Sequence, residues 1–112
     1  MTTHFRNITL AEAQELFTHD MHGDASHTSY PNTVTIDIRD QASYISEHIE
    51  GAVHITDKNI DQFVQTTDFD LPILIYCYHG HSSQHAAEFL VNQGFETVYS
   101  LIGGYTAWAA AQ

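Results

Sequence analysis

The sequence predicts an α/β domain with a mainly parallel sheet. Three observations carry that expectation. Strand-like and helix-like segments alternate along most of the chain at the spacing of βαβ units. One segment, Pro72-Ile73-Leu74-Ile75-Tyr76, is almost uninterrupted apolar sequence, as befits a central strand covered on both faces. Finally, 112 residues of which 43% are hydrophobic suffice for one compact core and fall short of two.

Taken in order, Thr9-Leu10-Ala11-Glu12 fits a capping box, and Leu10, Ala13, Leu16 and Phe17 continue it as an apolar stripe. A first helix from about Leu10 to His19 follows from this. Residues 20–33 carry Gly23, Pro31 and several small polar residues without periodicity, so they read as a surface loop. Val34-Thr35-Ile36-Asp37-Ile38 is a β-branched run ending in charge, a strand signal. A short helix is expected around Ala42 to Glu47, a second short strand at Gly51 to Ile55, and a helix over Asn59 to Gln65 with Ile60, Phe63 and Val64 on one side. After the strand that ends at Tyr76, Ser82 or Ser83 can cap a helix bearing Ala86, Ala87, Phe89, Leu90 and Val91, and Gly94 stands where a left-handed cap would end it. Thr97 to Leu101 reads as a strand, Gly103-Gly104 as a turn, and Tyr105 to Ala111 as a last helix.

Fourteen Asp and Glu face three Lys and Arg, a formal charge of -11. Arg6, Arg39 and Lys58 are scattered singly, whereas phosphate backbones and anionic membrane surfaces are bound by basic clusters, so neither nucleic acid nor membrane is an expected partner. A small anionic substrate would be repelled at long range, and any site for one must supply its own positive field. No stretch has the roughly 20 apolar residues of a membrane span, and the amino terminus lacks a secretion-signal pattern. A single unpaired cysteine also suits a reducing compartment, and the expected address is cytoplasmic.

That cysteine, Cys77, directly follows the apolar strand. In parallel sheets ligands bind at the carboxyl ends of strands, where helix N-termini offer unsatisfied N–H groups. Cys77-Tyr78-His79-Gly80-His81-Ser82-Ser83 joins strand to helix through a glycine-containing loop able to curl its N–H groups inward as an anion-holding nest. An unperturbed thiol titrates near pH 8.5, and each tenfold gain in thiolate takes about 1.4 kcal/mol of preference for the anion. A helix N-terminus supplies about 0.3–1 kcal/mol when exposed and up to about 2 when partly buried, so hydrogen bonds of the nest must add the rest. A lone cysteine in apolar surroundings is commonly a small core hydrophobe. The position and the loop behind it point to function instead.

The Cys77 to Ser83 loop, Asp37-Ile38-Arg39, Glu47-His48-Ile49-Glu50-Gly51-Ala52 and Leu101-Ile102-Gly103-Gly104-Tyr105-Thr106-Ala107-Trp108 together resemble the rhodanese homology domain in motif and in order. The similarity runs from about Ile8 to Trp108, with the long loop before Val34 and His81 as departures. It implies a rhodanese-like single domain over residues 1–112, with a mainly parallel five-stranded sheet flanked by helices on both faces. It further implies a thiosulfate sulfurtransferase working by a ping-pong cycle, with Cys77 as nucleophile and persulfide carrier. Substrate would be held by Tyr78, His79, Gly80, His81, Ser82 and Ser83, with Arg39 holding the sulfonate, the loop, or only an ion pair with Asp37 or Asp40. Asp37 is expected to cap backbone N–H groups. His48, Gly51, Gly103, Gly104 and Trp108 are expected to serve turns and packing.

No metal or organic cofactor is implied. The expected partners are thiosulfate, cyanide or small thiols, with a small dithiol protein as a candidate acceptor, and the simplest assembly is a monomer. Phosphatases of this fold need an arginine six residues after the cysteine to grip phosphoryl oxygens, and here that residue is Ser83. Metal binding at His79, His81 and His85, or at His19, His22 and His27, lacks the paired spacing of a structural zinc site. The rival that shares the same thiolate is a sulfur-relay or regulatory module fed by a protein persulfide.

Overall fold

The computed structural model describes residues 4–21 and 33–112. Most of the segment expected to be a surface loop, with His22 and His27, therefore lies outside the described residues. Ten elements follow in order: β1 (Arg6–Ile8), α1 (Leu10–Met21), β2 (Val34–Asp37), α2 (Gln41–Ser46), β3 (Val53–His54), α3 (Ile60–Thr66), β4 (Ile73–Tyr76), α4 (Ser82–Gln93), β5 (Val98–Leu101) and α5 (Gly104–Ala110). The strands form one sheet in the order β1-β5-β4-β2-β3, and every pairing is parallel.

Strand β1 was not among the expected elements. It has three residues and one buried side chain, Ile8, which is too little alternation for a sequence pattern to register. The capping box forms as expected: the Thr9 N–H donates to Glu12 Oε1 at 2.8 Å and the Glu12 N–H donates to Thr9 Oγ1 at 3.1 Å. Asp40 caps α2, accepting from the Ser43 N–H at 3.1 Å. The expected serine cap of α4 does not form. His81 occupies the N-cap position without a side-chain bond, and Ser82 and Ser83 are the first two helical residues.

The alternation of β4 divides the core. Ile73 and Ile75 face one layer with Ile36, Ile55, Ala87, Leu90, Val91, Phe95 and Val98, to which α3 adds Ile60, Phe63 and Val64. Leu74 and Tyr76 face the other with Ile8, Ala13, Ile49, Ala52 and Leu101, to which α1, α2 and α5 add Leu16, Phe17, Tyr44, Tyr105 and Trp108. Helices thus cover both faces of β4, and Ile73 to Tyr76 are 0% exposed. Among the described residues no helix is long and apolar enough to cross a membrane.

The strand order also contains a reversal of the kind at which open parallel sheets bind ligands. From β2 the chain moves outward to β3, then returns to β4 on the other side of β2 and moves outward again to β5. Such a reversal leaves a crevice beyond the carboxyl ends of β2 and β4. Cys77 and Arg39 stand at those two ends.

Candidate active site

Cys77 is 4% exposed. The N–H groups of Gly80 and Ser83 donate to its Sγ at 3.1 and 3.3 Å, and Ser83 Oγ lies 3.4 Å from the same sulfur. Burial pushes the thiol pKa up. The Ser83 hydroxyl and N–H, then the Gly80 N–H and a contribution from His79, outweigh that effect and hold it below the ordinary thiol value. The loop is therefore an anion nest built from backbone amides and one hydroxyl, with the sulfur at its focus.

The nest curls inward because its carbonyls are held elsewhere. At the start of α5, the Tyr105 N–H donates to Cys77 O at 2.8 Å and the Thr106 N–H donates to Tyr78 O at 3.1 Å. This close backbone approach requires glycine at 104. A Cβ there would stand 2.5 Å from Cys77 O and 2.6 Å from Tyr78 C. Gly104, expected with Gly103 to serve a turn and packing, thus lets the start of α5 clasp the cysteine loop.

The remaining expected site residues differ in what they touch. Tyr78 is 43% exposed, and its hydroxyl is 3.2 Å from Ser43 Oγ and accepts from the Asp40 N–H at 3.4 Å, which ties the loop to the start of α2. His79 is exposed, with Nδ1 3.3 Å from Thr106 Oγ1. Gly80 is buried, and its carbonyl accepts from the Gln84 side chain at 2.8 Å. His81 and Ser82 are exposed. His81 and His85 line a shallow cavity of about 320 Å³ with Phe5, Gln84 and Glu88, and among the described residues no three His, Cys, Asp or Glu gather as a metal would require.

Arg39 is 6% exposed and makes the ion pair with Asp37 that the sequence raised as an alternative. Its Nε reaches both Asp37 oxygens at 3.2 and 3.1 Å, its Nη2 donates to Asp37 Oδ2 at 2.9 Å, and Nη2 also serves the carbonyls of Ser43 and Glu47. The guanidinium lies 4.1 Å from the Tyr105 ring centre, with the rings of Tyr76 and Tyr78 at 5.7 and 5.9 Å. Asp37 also accepts the Arg39 N–H at 2.7 Å, the backbone cap expected of it. Of the expected site residues, Gly80 and Ser83 have hydrogen-bond contacts with the sulfur within 3.4 Å, whereas Arg39 is bonded to Asp37 and to the Ser43 and Glu47 carbonyls.

Residues 14–111 match the family of the rhodanese-like domain. This chain belongs to the rhodanese family. It is 45% identical over 107 residues to the thiosulfate sulfurtransferase GlpE of Pseudoalteromonas translucida, covering 96% of this chain and 91% of that protein. Among solved rhodanese structures it is similar to a rhodanese-related protein of Thermoplasma volcanium, with a TM-score of 0.73 at 21% identity over 96% of this chain and 93% of the other. It is likewise similar to the rhodanese-like domain of an Anabaena protein, with a TM-score of 0.71 at 25% identity over 96% of this chain and 74% of that one. The five-stranded parallel sheet with helices on both faces is the rhodanese architecture that the motif order implied.

Proposed function

We propose that this rhodanese is a thiosulfate sulfurtransferase whose Cys77 carries the transferred sulfur as a persulfide. The observation that carries this reading is the convergence of the Gly80 and Ser83 N–H groups and the Ser83 hydroxyl on one buried sulfur within 3.1–3.4 Å. The 45% identity to a thiosulfate sulfurtransferase supports the same substrate.

The Cys77 thiolate attacks the outer sulfur of thiosulfate, an S–S bond forms, and the S–S bond of thiosulfate breaks with its electron pair leaving on sulfite. Cyanide or a thiolate then attacks the outer sulfur of the persulfide, taking that sulfur and returning Cys77 to the nest as thiolate. Each step passes negative charge across the loop mouth, and inward N–H groups need no reorganisation to receive it. They also supply the local positive field that a chain of net charge -11 otherwise lacks. Tyr78, His79, His81 and Ser82 form the exposed rim over which the substrate passes. A cytoplasmic, reducing setting fits a protein whose one thiol must stay free.

Intact-mass spectrometry after thiosulfate treatment tests the reading. The expected product has gained one sulfur atom on Cys77, lost again on adding cyanide, and the Cys77→Ala protein gains none. Unchanged mass in the wild-type protein, or sulfur transfer that survives Cys77→Ala, would overturn it.

A further inference from the structure

The Cys77 loop is backed by a polar group that its own sequence does not contain. Ser100 lies in β5, opposite Ile75 of β4, and its side chain is 0% exposed. Its Oγ stands 2.8 Å from Ser83 Oγ, and among the described residues Ser83 is the hydrogen-bond partner of that hydroxyl. Ser83, also 0% exposed, has its Oγ 3.4 Å from Cys77 Sγ. Two buried hydroxyls beside a layer of Ile75, Ala87 and Val98 are costly unless their hydrogens find acceptors.

We propose that Ser100 is a positioning residue for the sulfur chemistry: it donates to Ser83 Oγ and so holds the Ser83 hydrogen on Cys77 Sγ. The inference rests on the reading of Cys77 as the nucleophile. The hydrogen count gives the relay its direction. With the sulfur anionic, Ser83 donates to Sγ and Ser100 donates to Ser83, so both hydrogens are accepted. With the sulfur protonated and its hydrogen on Ser83, the two hydroxyl hydrogens share the one Ser83–Ser100 contact, so one of them has no acceptor among the described residues. The pair therefore favours the thiolate over the thiol. Hydrogen bonds in such a chain also polarise one another, which strengthens the bond to the charged end.

The test follows the rate of Cys77 alkylation by iodoacetamide against pH in wild type, Ser100→Ala, Ser83→Ala and the double variant, each verified as folded by its urea transition. Ser100→Ala is expected to move the alkylation midpoint to higher pH and to slow the reaction at neutral pH about threefold to tenfold. Ser83→Ala should do at least as much, and the double variant should react no more slowly than Ser83→Ala alone, because Ser100 acts through Ser83. Ser100→Thr, which keeps the hydroxyl, should retain the wild-type midpoint. An unmoved midpoint in Ser100→Ala, or effects that simply add in the double variant, would overturn the proposal. Alkylation needs no thiosulfate, so failure here leaves the persulfide experiment standing, and an absent persulfide leaves this comparison readable.

Discussion

Gly104→Ala is expected to lower kcat/KM for sulfur transfer from thiosulfate to cyanide by about a hundredfold or more. The added Cβ would sit 2.5 Å from Cys77 O and 2.6 Å from the Tyr78 carbonyl carbon and oxygen, and all three are backbone atoms of the loop itself. Either the loop moves or α5 does. In both cases the bonds from the Tyr105 and Thr106 N–H groups to Cys77 O and Tyr78 O are stretched, and the amides that face the sulfur lose their support. A displacement of about 1 Å in a preorganised site can remove a hundredfold in rate. The left-handed backbone at position 104, φ +58°, adds strain of about 1–2 kcal/mol for any residue with a Cβ. Gly51→Ala provides the control, since Gly51 has φ +87° but nothing within 4 Å of its would-be Cβ. That variant should lose stability and keep its kcat/KM. Steady-state kinetics and urea unfolding of both proteins check the pair, and a Gly104→Ala enzyme within about threefold of wild type would count against the clasp.

The second large effect is expected at Arg39. Replacing it with alanine leaves the Asp37 carboxylate, 0% exposed, without its cation, and breaking a buried ion pair by removing one partner costs about 3–5 kcal/mol. Domains of this size have total stabilities of about 5–15 kcal/mol, so the alanine protein stands near its unfolding threshold. Arg39→Lys keeps a charge but loses the fork that reaches both Asp37 oxygens and the carbonyls of Ser43 and Glu47. Its urea midpoint should fall clearly while its KM for thiosulfate changes less than about threefold, because Nε and Nη2 of the guanidinium are engaged by Asp37 and by the Ser43 and Glu47 carbonyls. An unchanged midpoint with a strongly raised KM would assign Arg39 to the substrate instead.

These residues also show what the sequence could and could not disclose. The strand Ile73 to Tyr76 and the cysteine after it were legible because an unbroken apolar run has few readings, and the helices were legible through 3.6-residue stripes and the Thr9 to Glu12 box. Strand β1 was not, because an edge strand with one buried residue leaves no period. The cap of α4 was misread for a related reason. Ser83 has the chemistry of a capping residue, but its hydroxyl is drawn to Cys77 through the curl of the loop and to Ser100 through the packing of α4 on β5. Ser100 itself sits 23 residues from Cys77 in sequence and reads as one polar residue inside a strand. The role of Arg39 lay between alternatives in sequence, and the Asp37 ion pair, the two carbonyls and the Tyr105 ring fill its surroundings in the fold.

The most direct measurement of the central claim is the pH dependence of iodoacetamide alkylation at Cys77 in the folded protein, beside the same protein in denaturant. Amides and a hydroxyl aimed at the sulfur hold the thiol below its ordinary value, so thiolate reactivity should appear at lower pH in the folded state than in the unfolded one. The folded-state curve should reach half its plateau below the ordinary thiol midpoint near pH 8.5. A folded-state midpoint at or above that of the denatured chain would show that burial outweighs the nest, and would contradict the account.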